Sequence, residues 1–132
     1  MKYICKICGK EGDGKRCVEC GSEEFRILSL IGLKLIEEKS RITVLLGKSK
    51  RIFGGAVVNR LLGIKDIGDG EFEVQIDENV NSIVLIRGLN GKNKIKINGI
   101  SLSPGEKIEV KDGDTLEVSD FQFHLEYNWY EK

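Results

Sequence analysis

The sequence predicts an all-β protein in two parts, a very small cysteine-rich head over residues 1–24 and a β-sandwich body over residues 25–132. Three observations carry this. All four cysteines of the 132-residue chain fall within its first 20 residues, as two CxxC pairs. From residue 25 onward apolar residues recur mostly with period two and are rich in β-branched types. Gly, Asn and Asp interrupt these runs at close intervals, as the turns of a many-stranded sandwich require.

The head is justified by its cysteines. Cys5 and Cys8 read CKIC, Cys17 and Cys20 read CVEC, and glycine follows each pair at Gly9 and Gly21. A CxxC turn aims two thiolates and nearby amides at one point, and glycine supplies the positive φ that the turn needs. Two such knuckles make a closed tetrahedral site, with Gly12-Asp13-Gly14 as the turn that folds one onto the other. This is a zinc-ribbon pattern, with Cys5, Cys8, Cys17 and Cys20 as ligands of a structural Zn²⁺. Iron is the alternative ion for four thiolates. Paired disulfides would suit an oxidising compartment, whereas a reduced cytoplasm favours metal. A thioredoxin-like enzyme uses one CxxC on a βαβ unit, which is not the pattern here. Without an ion so short a segment buries too little to fold, and metal binding of about 10–16 kcal/mol supplies the difference. Head charges balance, five basic against five acidic residues, which suits contact with protein better than with a phosphate backbone.

Strands are expected in the body over 25–31, 33–36, 42–46, 72–76, 83–86, 94–97, 107–110, 115–118 and 121–127. The last is the clearest: Phe121, Phe123, Leu125 and Tyr127 share one face, and Gln122, His124 and Glu126 the other. His124 therefore faces solvent, without the partners of acid–base chemistry. Trp129 and Tyr130 are expected to dock on the sandwich. Residues 50–63 read as a short helix or a loop: the apolar pairs Ile52-Phe53, Val57-Val58 and Leu61-Leu62 have helical spacing, while Gly54-Gly55 opposes it.

The stretch from Asn98, NGISLSPGEKIEVKDGDTLEVSDFQFHLEY, resembles the end of a forkhead-associated (FHA) domain. The Asn98-Gly99 hairpin, Leu102, the strand ending at Val110, the Asp112-Gly113-Asp114 turn and the final aromatic strand follow that family's order. The resemblance implies an FHA-like β-sandwich that binds a protein partner, in that family a phosphorylated one. The family's Gly-Arg is similar to Gly47-Lys48, with lysine in place of the bidentate arginine. Its Asn-Gly-Thr falls on Asn93-Lys94-Ile95, keeping the asparagine. Its Ser-Arg-x-His loop has no counterpart; Asp69-Gly70-Glu71-Phe72-Glu73 stands there, and carboxylates beside a phosphate would repel it. The candidate peptide- or phosphate-binding residues are thus Lys48, Ser49, Lys50, Arg51 and Asn93. A zinc ribbon joined to an FHA-like domain resembles small archaeal regulators.

Composition bounds the remaining classes. With 21 basic and 21 acidic side chains the net charge is zero, so no whole-chain field draws the protein to nucleic acid or anionic lipid. Charge is nevertheless polarised. Residues 26–63 hold eight basic against two acidic side chains, which keeps a nucleic-acid-associated reading open, and residues 64–91 hold two against six. No secretory h-region precedes the cysteines, and the expectation is a cytoplasmic protein without membrane contact. Gly47-Lys48-Ser49 has Ile42 where a phosphate-binding loop needs glycine, and Asp112 with Asp114 lacks the other carboxylates of a calcium loop. No nucleophile has a recognisable base, so the reading is a non-enzymatic interaction module in a regulatory or signalling assembly.

Overall fold

The computed structural model describes residues 1–48, 51–53, 56–63, 70–89, 91 and 93–131. In the head, β1 (Lys2–Cys5) pairs with β2 (Glu11–Gly12). The body holds β3 (Phe25–Glu37), β4 (Thr43–Gly47), β5 (Arg51–Ile52), helix α1 (Ala56–Leu62), β6 (Phe72–Asp77), β7 (Ser82–Arg87), β8 (Ile95–Ile97), β9 (Ile100–Ser101), β10 (Lys107–Val110), β11 (Thr115–Val118) and β12 (Phe121–Glu131). One sheet runs β2-β1-β3-β12-β11-β8-β9, with β4 also on β3; the other runs β10-β7-β6-β5. Among the described residues every pairing is antiparallel, and the two sheets enclose a single apolar core.

The core follows the alternation legible in the sequence. Leu33 and Leu35 of β3, Val74 of β6, Ile83 and Leu85 of β7, and Phe123 and Leu125 of β12 are all fully buried. Phe53 adds its ring between Phe72 and Phe123, at centroid distances of 6.3 and 5.8 Å. Its φ of +58° is unusual for a bulky residue and marks the chain's turn out of β5. The seven-residue α1 occupies the segment read as helix or loop, and buries Leu62 while leaving Leu61 exposed.

Two expected strands, 25–31 and 33–36, are one 13-residue strand. A register shift opposite Asn128/Trp129 bends it, and that bulge is what broke the simple alternation. β3 joins the two parts of the chain: its first residues pair with β1, from Cys5↔Phe25 to Lys2↔Leu28, and its later ones with β4. β12 likewise continues past the expected Tyr127, so that Trp129 lies opposite Leu30 and Glu131 opposite Leu28. Trp129 packs on the core under the Lys2 ammonium, 5.0 Å from its ring centroid, whereas Tyr130 is exposed. Arg26 grips Glu131 with two hydrogen bonds of 2.9 and 3.1 Å, so this one of the basic residues of segment 26–63 is already paired.

The hairpin turns are as the residues dictate. Asn98 and Gly99 both have positive φ, +50° and +82°, the type I′ geometry of a two-residue loop between Ile97 and Ile100. The Asn98 side chain accepts the Thr115 amide at 2.9 Å, tying this hairpin to β11. Among the described residues no helix is long and apolar enough to cross a membrane.

Candidate functional sites: a four-cysteine head and a loop rim

The two knuckles are built identically. In the first, Gly9 N–H donates to Cys5 O at 2.9 Å and Cys5 N–H to Lys10 O at 2.9 Å. In the second, Gly21 N–H donates to Cys17 O and Cys17 N–H to Ser22 O, both at 2.8 Å. Gly9 and Gly21 share a φ of +75°, the conformation that their position after each CxxC requires. Folded together, the knuckles place the sulfurs of Cys5, Cys8, Cys17 and Cys20 within 4.8 Å of one another. The Cys5 and Cys17 side chains are buried; Cys8 and Cys20 are exposed. Lys10 bridges to Glu19 at 2.6 Å from one knuckle to the other.

The donor set fits a metal ion. Backbone N–H groups of Cys8 and Ile7 point at the Cys5 sulfur and hold its thiol down at about 6. Those of Cys20 and Glu19 lower Cys17 in the same way. At Cys8 the Lys10 amide pulls downward but is outweighed by sulfur–sulfur contact with Cys17 and by desolvation, and the thiol is pushed up to about 12. Cys20, with the Ser22 amide opposing the contact with Cys5, is raised likewise. Backbone amides thus favour negative charge on Cys5 and Cys17, while sulfur neighbours and desolvation disfavour it on Cys8 and Cys20, an imbalance that a bound cation would relieve. Four protein ligands leave no open position, so such a site is structural and not hydrolytic.

The second site lies at the other pole. The β6–β7 hairpin has its turn, residues 78–81, at the end near the head, where the Met1 amine donates to Glu78 O and Asn81 Nδ2 to Met1 O. At its far end Phe72 pairs with Arg87, and residues 88–94 connect that strand to β8. Arg87 organises this rim. Its guanidinium donates to Leu102 O, donates to Asn93 O at 2.6 Å, and sets Nε 3.9 Å from Glu71 Oε1. Gly91 rests so closely on the Glu71 carboxylate that a Cβ would collide with it, and Gly88 lies equally close to Gly70 O. Asn93 Oδ1 accepts the Ser119 hydroxyl at 2.5 Å.

Of the sequence-derived peptide residues, the structure does not bring Lys48 and Asn93 together. Lys48 borders a cleft of about 530 Å³ with Gln75, Asp77, Glu78 and Ser82, near the head. Asn93 is bonded to Arg87, at the other end of β7, a strand that spans about 17 Å at the usual rise. Arg51 opens β5 opposite Glu73, and Ile52 pairs with Phe72, the partner of Arg87, so the backbone of Arg51 lies one residue from the Asn93 end. Ser49 and Lys50 lie outside the described residues, as does Asp69. Glu71 does not point a free charge at the rim; it is buried against Arg87. This pair escaped the sequence reading. Its only trace is an arginine closing the apolar run Ile83-Val84-Leu85-Ile86, where a solvated end is the ordinary expectation.

Solved structures similar to this chain include two FHA domains. The FHA domain of a hypothetical protein of Arabidopsis thaliana is 16% identical, covering 75% of this chain and 86% of that one, with a TM-score of 0.50. The FHA domain of Rv0020c is 20% identical, covering 77% and 95%, with a TM-score of 0.50. The fold is therefore that of a forkhead-associated domain, here carrying a four-cysteine cluster at its N-terminal side. No family model and no curated protein matches the chain.

Proposed function

We propose that this chain is a non-enzymatic protein–protein interaction module, cytoplasmic and part of a regulatory or signalling assembly, with a structural Zn²⁺ in its head. The observation that carries the reading is the FHA fold, covering three quarters of the chain, together with a pre-organised rim at Asn93. Zinc is favoured because the site is closed, all-thiolate and built on two matching knuckles. When bound, the ion supplies the cross-link that the head's small core cannot. Cys5, Cys8, Cys17 and Cys20 would hold it.

At the rim, Arg87 and Ser119 fix Asn93 by its carbonyl and by its side-chain oxygen, leaving its amide –NH₂ to donate to a peptide carbonyl. Asn93 then stands as a positioned loop residue on a rigid scaffold. A phosphorylated peptide is the partner the fold suggests, with Lys48, Ser49, Lys50 and Arg51 as candidate anion contacts, in an atypical mode without the Ser-Arg-x-His loop.

A pulldown from lysate, with and without phosphatase treatment, tests this. Asn93→Ala, Lys48→Ala and Arg51→Ala are compared with wild type. Recovery lost on phosphatase treatment and in Asn93→Ala supports phosphopeptide binding at the rim. Loss in Lys48→Ala alone moves the contact to the opposite pole. Equal recovery in all arms removes the phosphopeptide reading.

A further inference from the structure

The sequence pairs each cysteine with its CxxC neighbour, whereas two sulfur–sulfur hydrogen bonds in the head run between knuckles. Cys5 Sγ lies 3.5 Å from Cys20 Sγ, and Cys8 Sγ lies 3.4 Å from Cys17 Sγ. Each contact joins one exposed and one buried cysteine: Cys20 and Cys8 are open to solvent, while Cys5 and Cys17 are 1% and 5% exposed. That arrangement supplies both partners of thiol oxidation, an accessible sulfur for the oxidant to reach and a sheltered one to resolve it.

We propose that the head is an oxidative modification site for peroxide, which converts it into a metal-free state stapled by two cross-knuckle disulfides, Cys8–Cys17 and Cys5–Cys20. The inference rests on the metal-binding reading of the head. In each half the exposed cysteine, which as a metal ligand would be a thiolate, attacks peroxide, giving a sulfenic acid and hydroxide. The buried thiolate of the other knuckle then attacks that sulfur, forming the S–S bond and expelling a second hydroxide. Two peroxides are consumed for two disulfides, with one metal ion released and four protons taken up from solvent as the hydroxides become water. The sulfurs must close by about 1.4 Å to reach disulfide length, a small adjustment within a loop-built head.

The connectivity decides the consequence. Links within each CxxC would leave the two knuckles free to part once the metal had gone. Links between them hold the knuckles face to face in the metal's place. The strand β1, and Lys2 over Trp129, then keep their positions. The head thus passes from a metal-held to a covalently held form, while the reduced metal-free chain has neither restraint.

The experiment treats the full, metal-loaded protein with hydrogen peroxide, alkylates remaining thiols, and maps the links by mass spectrometry. Cleavage after Lys6 separates Cys5 from Cys8, and cleavage after Glu19 separates Cys17 from Cys20, so every connectivity is distinguishable. Expected are 8–17 and 5–20 links, one metal ion released per chain, and a Trp129 emission spectrum that stays native in chelator after oxidation but shifts in chelator with reductant. Links 5–8 and 17–20, links between chains, or four free thiols after complete peroxide consumption would overturn the proposal. Purification without any metal would instead sink the metal reading, and the same mapping on the reduced protein would still decide the connectivity.

Discussion

Replacing Arg87 with methionine should remove a large share of this protein's stability. Arg87 is 11% exposed and Glu71 fully buried, with Nε 3.9 Å from Oε1. At an effective dielectric of about 20, charges at that separation attract by about 4 kcal/mol, against which stands the cost of dehydrating both. The pair's net worth is therefore modest. Removing one member leaves the other charge buried without that partner, at a typical cost of about 3–5 kcal/mol. The carbonyls of Asn93 and Leu102 lose their donors as well. Against a usual total of about 5–15 kcal/mol this is severe. Urea unfolding followed by Trp129 fluorescence and far-UV circular dichroism measures it, with Glu71→Leu/Arg87→Met as the second arm. The double variant should recover most of the loss, since both charges leave together. Arg87→Met within about 1 kcal/mol of wild type, or a double variant no more stable than the single, would refute the reasoning.

Four further outcomes follow from the same geometry. Chelator, or Cys8→Ser, should abolish metal content measured by elemental analysis and shift the emission of Trp129, because the head holds Lys2 over that ring. Phe53→Ala should destabilise by about 3–5 kcal/mol in denaturant titration, since it empties the space between Phe72 and Phe123. Gly91→Ala should lower Tm, as its Cβ has no room beside the Glu71 carboxylate; a Tm unchanged from wild type would argue against that packing. Glu37 accepts the Ser40 amide at 2.5 Å and the Ser40 hydroxyl at 3.0 Å, and the amide above all holds its carboxyl below the ordinary range. Stability from a lowered carboxyl is complete above the unfolded value, near about 4.3, and is lost as pH falls through the folded one. Glu37→Gln should therefore reduce Tm at neutral pH, with the gap to wild type narrowing in acid.

Much of this architecture is local and was readable in advance. The CxxC-Gly repeats specified both knuckles, because chain turns of that kind depend on nearest neighbours and on glycine's positive φ. The alternation of Phe121, Phe123, Leu125 and Tyr127 specified a one-sided strand, since the period of a pleated chain is a local property. Asn98-Gly99 specified its hairpin for the same reason. What depended on distant parts of the chain was not readable. The bulge that makes β3 continuous exists only because β12 runs past it, so the sequence showed two strands where there is one. The sequence-derived peptide residues Lys48 and Asn93 fall at opposite poles of β7, a separation set by which sheet each strand joins. Glu71 looked like a rim charge until its partner, 16 positions away in the chain, arrived beside it through the pairing of β6 with β7. Composition and spacing determined a four-cysteine head and a hairpin-built body, because turns and pleats are decided within a few residues. Only tertiary structure decided which charges are buried, which sulfurs touch and which loops share a pole, because those follow from strand pairings between segments far apart along the chain.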